Sequence, residues 1–137
     1  MNKHFRIQRS LTLVAGLMFA SLVNAGDIVV VMAPGAPALS KEQVADVYVG
    51  RNRDLKPLDL PNSAPAREEF YKKATSRDLA QIKAIWARLQ FTGQGQPPQA
   101  LPDDAAIKKA VAADPKTVGY IDKANVDSTV KVVLELN

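Results

Sequence analysis

The sequence predicts a single α/β domain behind an export leader. Three observations carry this. Asp27 to Met32 (DIVVVM) is an unbroken apolar run with three valines, the pattern of a strand buried on both faces. Helix-start signatures recur between the later apolar runs. The order of segments along the chain, strand, helix, strand, helices, strand, strand, is that of a layered α/β fold.

The leader is Met1 to Ala25. Met1 to Ser10 carries Lys3, Arg6 and Arg9 and no acid. Leu11 to Val23 is an apolar run of 13 residues, and Val23-Asn24-Ala25 presents small or β-branched residues where a signal peptidase reads. The run is too short and wrongly flanked for a membrane span, and no Cys follows it to take a lipid. Cleavage leaves one domain's worth of chain, residues 26–137.

Ser40 caps the first helix, and Gln43 three residues on completes a capping box. Leu39 is placed to staple against Val44. Val44, Val47 and Tyr48 form the helix's buried stripe, and Gly50 stops it. Arg51 to Leu55 is a polar loop. Lys56 to Leu60 (KPLDL) is a short strand near an edge, on the argument of Pro57. Pro61 to Pro65 turns into a second helix, Ala64 to Thr75, capped by Ser63 with Pro65 in its first turn. Phe70 and Tyr71 anchor it inside.

Ser76 opens a third helix whose apolar face is Leu79, Ile82, Ile85, Trp86, Leu89 and Phe91. Gly93 ends it, and Thr92 to Leu101 is a long loop with two Gly and two Pro. Pro102-Asp103-Asp104 starts a fourth helix to about Ala113, with acids in its first turn as the macrodipole prefers. Val118 to Ile121 and Thr129 to Leu136 are the last strands. Repeats, low-complexity tracts and a second-domain linker are all missing.

Composition narrows the chemistry. There is no Cys, and the single His is His4, inside the leader. That removes Cys or His zinc ligation, thiol nucleophiles, and Ser-His or Cys-His pairs. Carboxylate and Lys chemistry remain, and the expectation is a non-enzyme with no cofactor. The formal charge is +4, and the leader holds three of the basic residues. The exported domain is therefore close to neutral and unsuited to nucleic acid. Lys72-Lys73 and Lys108-Lys109 are small solvated clusters. Asp103 and Asp104 read as a solvated first turn rather than a metal pair. Glu68 and Glu69 diverge by about 100° around a helix and cannot converge on one atom. Thr92-Gly93-x-Gly95 follows a helix and lacks a third Gly, so it is no dinucleotide fingerprint.

Four stretches together carry a family resemblance. Leu39-Ser-Lys-Glu-Gln-Val-Ala-Asp-Val-Tyr-Val-Gly50 closely resembles a helix of type II periplasmic solute-binding proteins. The nearest in pattern are the phosphate-binding proteins of ABC transporters. Arg67-Glu68-Glu69-Phe70 resembles the Arg-x-x-Phe that carries their phosphate turn into its helix. Gly119-Tyr120-Ile121 resembles a late Gly-Tyr strand of the same lobe. Trp86-x-Arg88-x-x-Phe91-Thr92-Gly93-x-Gly95-Gln96-Pro97-Pro98 resembles small single-lobe secreted relatives.

The resemblance implies one lobe of a type II periplasmic binding protein, a mixed sheet flanked by about four helices. It implies a periplasmic protein offering helix starts at Ser40 and at Ser63-Ala64, with Arg67, to a small oxyanion such as phosphate. An ABC permease, another envelope protein or a second copy in a homodimer would supply the missing face. Thr92, Gly93 and Gly95 lie in a candidate docking loop, and docking without ligand is the competing reading. Ser63 and Ser40 also serve as plain helix caps, Arg67 as a partner for a nearby acid, and Gly93 as a helix stop.

One departure bears on the ligand. The family's turn reads Gly-Ser-Gly-Thr before the Arg, where this chain has Ser63-Ala64-Pro65-Ala66. The Thr hydroxyl is gone and Pro65 deletes a backbone donor. Losing two donors costs on the order of 3 kcal/mol, more than a hundredfold in affinity. The leader itself generates a first prediction: the exported protein begins at Gly26, which the intact mass of the secreted chain measures directly. A mass retaining Leu11 to Val23 would show the leader uncleaved.

Overall fold

The structure, a computed structural model, describes residues 26–137, so the leader lies outside the described residues. Five strands and four α-helices follow in the order β1 (Ile28–Met32), α1 (Lys41–Tyr48), β2 (Lys56–Asp59), α2 (Pro65–Thr75), α3 (Leu79–Phe91), β3 (Gln99–Ala100), α4 (Asp104–Ala113), β4 (Thr117–Asp122) and β5 (Lys131–Leu136). A short 3-10 turn, Lys123–Asn125, follows β4. The sheet order is β3-β2-β4-β1-β5. β1 runs antiparallel to both β4 and β5, while β2 runs parallel to β3 and β4. The sheet is mixed, as expected, and all five residues of β1 are buried between its two partners.

β4 divides the core. Its side chains alternate, so Gly119 and Tyr120 face opposite sides of the sheet. On one side α4 lies so close that a Cβ at Gly119 would come within 2.5 Å of Ile107 and 3.3 Å of Val111. On the other side Tyr120 stacks flat on Phe70 of α2, centroids 3.9 Å apart. Tyr48 of α1 meets Phe70 edge-on at 4.6 Å. The Tyr48 hydroxyl donates to Leu58 O at 2.7 Å, and Trp86 of α3 donates its indole N–H to Tyr48 O at 3.1 Å. Three helices are thereby tied to the β2–β4 half of the sheet.

Several local expectations hold in detail. Ser40 and Gln43 form the reciprocal capping box of α1, and Gly50 follows its end with φ +79°. Pro65 takes the first helical position of α2. Asp103 caps α4 through Ala106 N–H at 2.9 Å.

Others need correction. The N-cap of α2 is Ala64, not Ser63, and it makes no side-chain cap bond. Pro65, with φ already helical, claims the first turn, and the residue before it becomes the cap whatever its side chain. Ser76 does not open α3. It ends α2 in the left-handed conformation (φ 58°), and Asp78 caps α3 in a capping box with Gln81. Phe91 leaves the core face and is 94% exposed. Five residues beyond buried Trp86 it has turned about 140° around the helix. The Thr92–Leu101 segment contributes β3, which pairs with Leu58 and Asp59. β2 is thus covered by a two-residue edge strand, and only its Pro57 end pairs with β4 alone.

The close approach at β4 generates a second prediction. Gly119→Val drives methyl groups into Ile107 and lowers stability by about 2 kcal/mol or more, read as a drop in the urea midpoint. An unchanged midpoint would show that α4 does not rest on β4.

Candidate functional site at the α2 helix start

β2 delivers a carboxylate into the core. Asp59, flanked by Leu58 and Leu60, is only 1% exposed. Its oxygens accept from Leu60 N–H at 2.8 Å, from Tyr71 OH at 2.6 Å and from Tyr120 OH. Arg67 of α2 brings Nε to 3.6 Å of the same carboxylate. A buried charge is tolerable when paired and hydrogen-bonded in this way. The phenols respond: burial, and then the Asp59 charge, push Tyr71 and Tyr120 far above their ordinary value. Burial raises Tyr48 as well.

Arg67 is consumed by this arrangement. Its Nη1 donates to Leu60 O at 3.2 Å. Nε is buried without a hydrogen bond, held to Asp59 by charge. The guanidinium lies 6.0 Å from the Tyr71 ring.

The backbone of the helix start is partly consumed too. Ala64 N–H donates to Pro61 O at 2.9 Å, and Arg67 N–H to Ala64 O at 3.1 Å. Pro65 has no N–H. Like Asn62 and Ser63 in the turn before it, Ala66 has no backbone partner for its amide among the described residues. It lies on a cleft of about 500 Å³ between the starts of α2 and α4, lined by Leu60, Ala64–Ala66, Pro102–Ala105, Lys108 and Asn125. Two helix N-termini facing one cleft ordinarily attract an anion. Here the chain's own acids answer them. Asp103 caps α4, and Asp104 accepts from Asp122 N–H at 3.0 Å and Asn125 Nδ2 at 2.8 Å. Lys108 is paired with Asp127 at 2.9 Å. Among the described residues no cluster of acids or histidines could hold a metal ion.

The sequence-selected residues do not converge. Ala64 lines the cleft, while Ser63 is exposed one residue before the cap. Arg67 turns inward to Asp59. Ser40 stands beside the opposite edge of the sheet, where Leu39 N–H bonds Val133 O of β5 at 2.9 Å. Three strand spacings, about 14 Å, separate β5 from β2. Thr92 is the C-cap of α3 and hydrogen-bonds back to Arg88 O at 3.1 Å, and Gly93 follows with φ +70°. Gly95 sits against the Trp86 ring on a separate trough of about 490 Å³. Sequence reasoning missed Asp59 and the polar roles of Tyr71 and Tyr120. The available signal was a carboxylate between two leucines in a short strand.

No family model matches the chain, and no curated protein matches it. Solved structures do. A crystal structure of an ABC-type phosphate transport receptor from Vibrio cholerae superposes with a TM-score of 0.61 at 17% identity, covering 78% of this chain and 45% of the receptor. A putative phosphate ABC transporter substrate-binding protein from Clostridium perfringens, with bound phosphate, gives 0.62 at 18%, covering 78% and 44%. This chain therefore spans less than half the length of either. Its fold is that of one lobe of a periplasmic binding protein, a mixed α/β sheet with four helices.

The tyrosine cluster generates a third prediction. Tyr48, Tyr71 and Tyr120 are the chain's three tyrosines, and all are buried. A phenol whose folded pKa lies above its unfolded value of about 10 stabilises the fold fully below that pH. The stabilisation is lost as pH rises further. Alkaline titration of phenolate absorbance is expected to show one cooperative rise, coincident with loss of the circular dichroism signal. Stepwise ionisation near pH ~10 in a folded chain would contradict a closed cluster.

Proposed function

We propose that this chain is an exported, non-enzymatic domain on the solute-receptor scaffold that acts in the periplasm by engaging another envelope protein. On this reading phosphate capture at α2 has been given up. The observation that carries it is the α2 start itself: a proline where an amide donor would stand, an arginine committed to Asp59 and Leu60 O, and two aspartates across the cleft. An incoming oxyanion meets two carboxylates across the cleft and no arginine or hydroxyl on the α2 side, where tetrahedral recognition needs several converging donors. The exposed Phe91 beside the Thr92–Gly95 loop is the apolar group this reading offers to a partner.

A second reading has one observation in its favour. Ala66 N–H still borders the open cleft, so an oxyanion bound weakly by this lobe, with its other half covered by a permease or a second copy, fits the same scaffold.

Titration calorimetry with phosphate, sulfate and molybdate separates the two. The first reading expects no saturable heat from the native chain. It expects measurable binding after Pro65→Gly with Ala66→Thr, which restores two donors. Saturable binding by the native chain supports the second reading and removes the first. For the docking half, Phe91→Ser is expected to shift stability by less than about 0.5 kcal/mol while abolishing adducts from a photo-crosslinker placed at Gln94 in cells. Adducts indifferent to Phe91 would count against that surface.

A further inference from the structure

The exposed part of Arg67 borders a second cavity, of about 270 Å³, that shares no lining residue with the α2–α4 cleft. Trp86, Pro97 and Pro98 give it flat apolar walls. Arg67, Lys83 and Asn62 line it as well. Asp59 and Tyr71 also line it, but they are already spoken for. The Asp59 carboxylate has three hydrogen-bond donors and an arginine, and the Tyr71 hydroxyl donates its hydrogen bond to Asp59.

The remaining polarity is one-sided. Arg67 and Asp59 cancel, whereas Lys83 is exposed and makes no ion pair among the described residues. The lining thus carries an excess of one positive charge, together with an indole and two prolines. Its volume falls just under the usual range for drug-sized ligands, which suits a molecule of roughly ten non-hydrogen atoms.

We propose that this cavity binds a small carboxylate carried on a flat apolar body. The carboxylate pairs with Lys83 and Asn62, and the body lies against Trp86 and the Pro97-Pro98 pair. A tetrahedral oxyanion has no apolar body to use those walls, and a neutral isostere leaves Lys83 unpaired. The inference is independent of the α2 start: it requires neither the Ala66 amide nor a protein partner.

Trp86 is the chain's single tryptophan and borders both this cavity and the Gly95 trough, so its fluorescence and indole N–H resonance report on either, and Lys83, which lines this cavity alone of the two, separates them. Benzoate titrated into the native chain is expected to move both signals saturably. Benzamide and inorganic phosphate are expected to bind at least about tenfold more weakly, the size of one lost charge-assisted contact. Lys83→Gln is expected to weaken benzoate by a similar factor with the thermal midpoint unchanged. No saturable movement of either signal overturns the proposal. So does equal binding of benzamide, or benzoate affinity untouched by Lys83→Gln. None of these results bears on phosphate at α2, which the calorimetry tests by itself.

Discussion

The half of the molecule around β2 is organised by one buried carboxylate. Asp59 sits where β2 gives way to α2, and everything near it is arranged to keep that charge satisfied. α2 turns Tyr71 and Arg67 toward it, and β4 contributes Tyr120 from 61 residues away in sequence. The apolar flanks of those phenols then make the core: Tyr120 stacks on Phe70, and Tyr48 closes the edge. Removing one partner would strand a charge in low dielectric, which is why such clusters hold together or fail as a unit.

That arrangement decides what the helix start can do. An arginine one turn into a helix is a natural anion clamp when it points to solvent. Here its guanidinium is turned back toward Asp59, with 15% of its side chain exposed. The turn before it folds on itself, Ala64 onto Pro61 and Arg67 onto Ala64, and Pro65 offers nothing. Across the cleft, Asp103 and Asp104 complement the α4 dipole from within the chain. The α4 start is thus answered by the chain's own acids, while the α2 start keeps its Ala66 amide on the cleft. A further cavity, lined by Lys83, lies between α2, α3 and the Pro97-Pro98 loop.

Much of the fold is legible in the sequence because much of it is written locally. The buried β1 follows from an uninterrupted valine-rich run. The ends of α1 follow from Ser40, Gln43 and Gly50, and the start of α4 from its aspartates. Each of these signals acts over three or four residues, within reach of one turn of backbone. Where two local signals competed, geometry chose between them. Asp78 rather than Ser76 stands three residues before a glutamine, and Pro65 fixed the start of α2 regardless of Ser63. Phe91 reads as core by composition, yet its angular position on α3 places it in solvent.

The sequence by itself determined a near-neutral α/β domain without thiol or imidazole chemistry, the positions of most of its elements, and a turn poor in anion donors. Only the tertiary structure decided which groups meet. Ser40 and Ala64 lie far apart because strand order, invisible in any short window, inserts β4 and β1 between β5 and β2. Arg67 faces inward because its partner, Asp59, arrives on a different element. Local propensity acts through adjacent backbone amides, whereas charge pairing and ring stacking depend on distances that exist only once the chain has closed on itself.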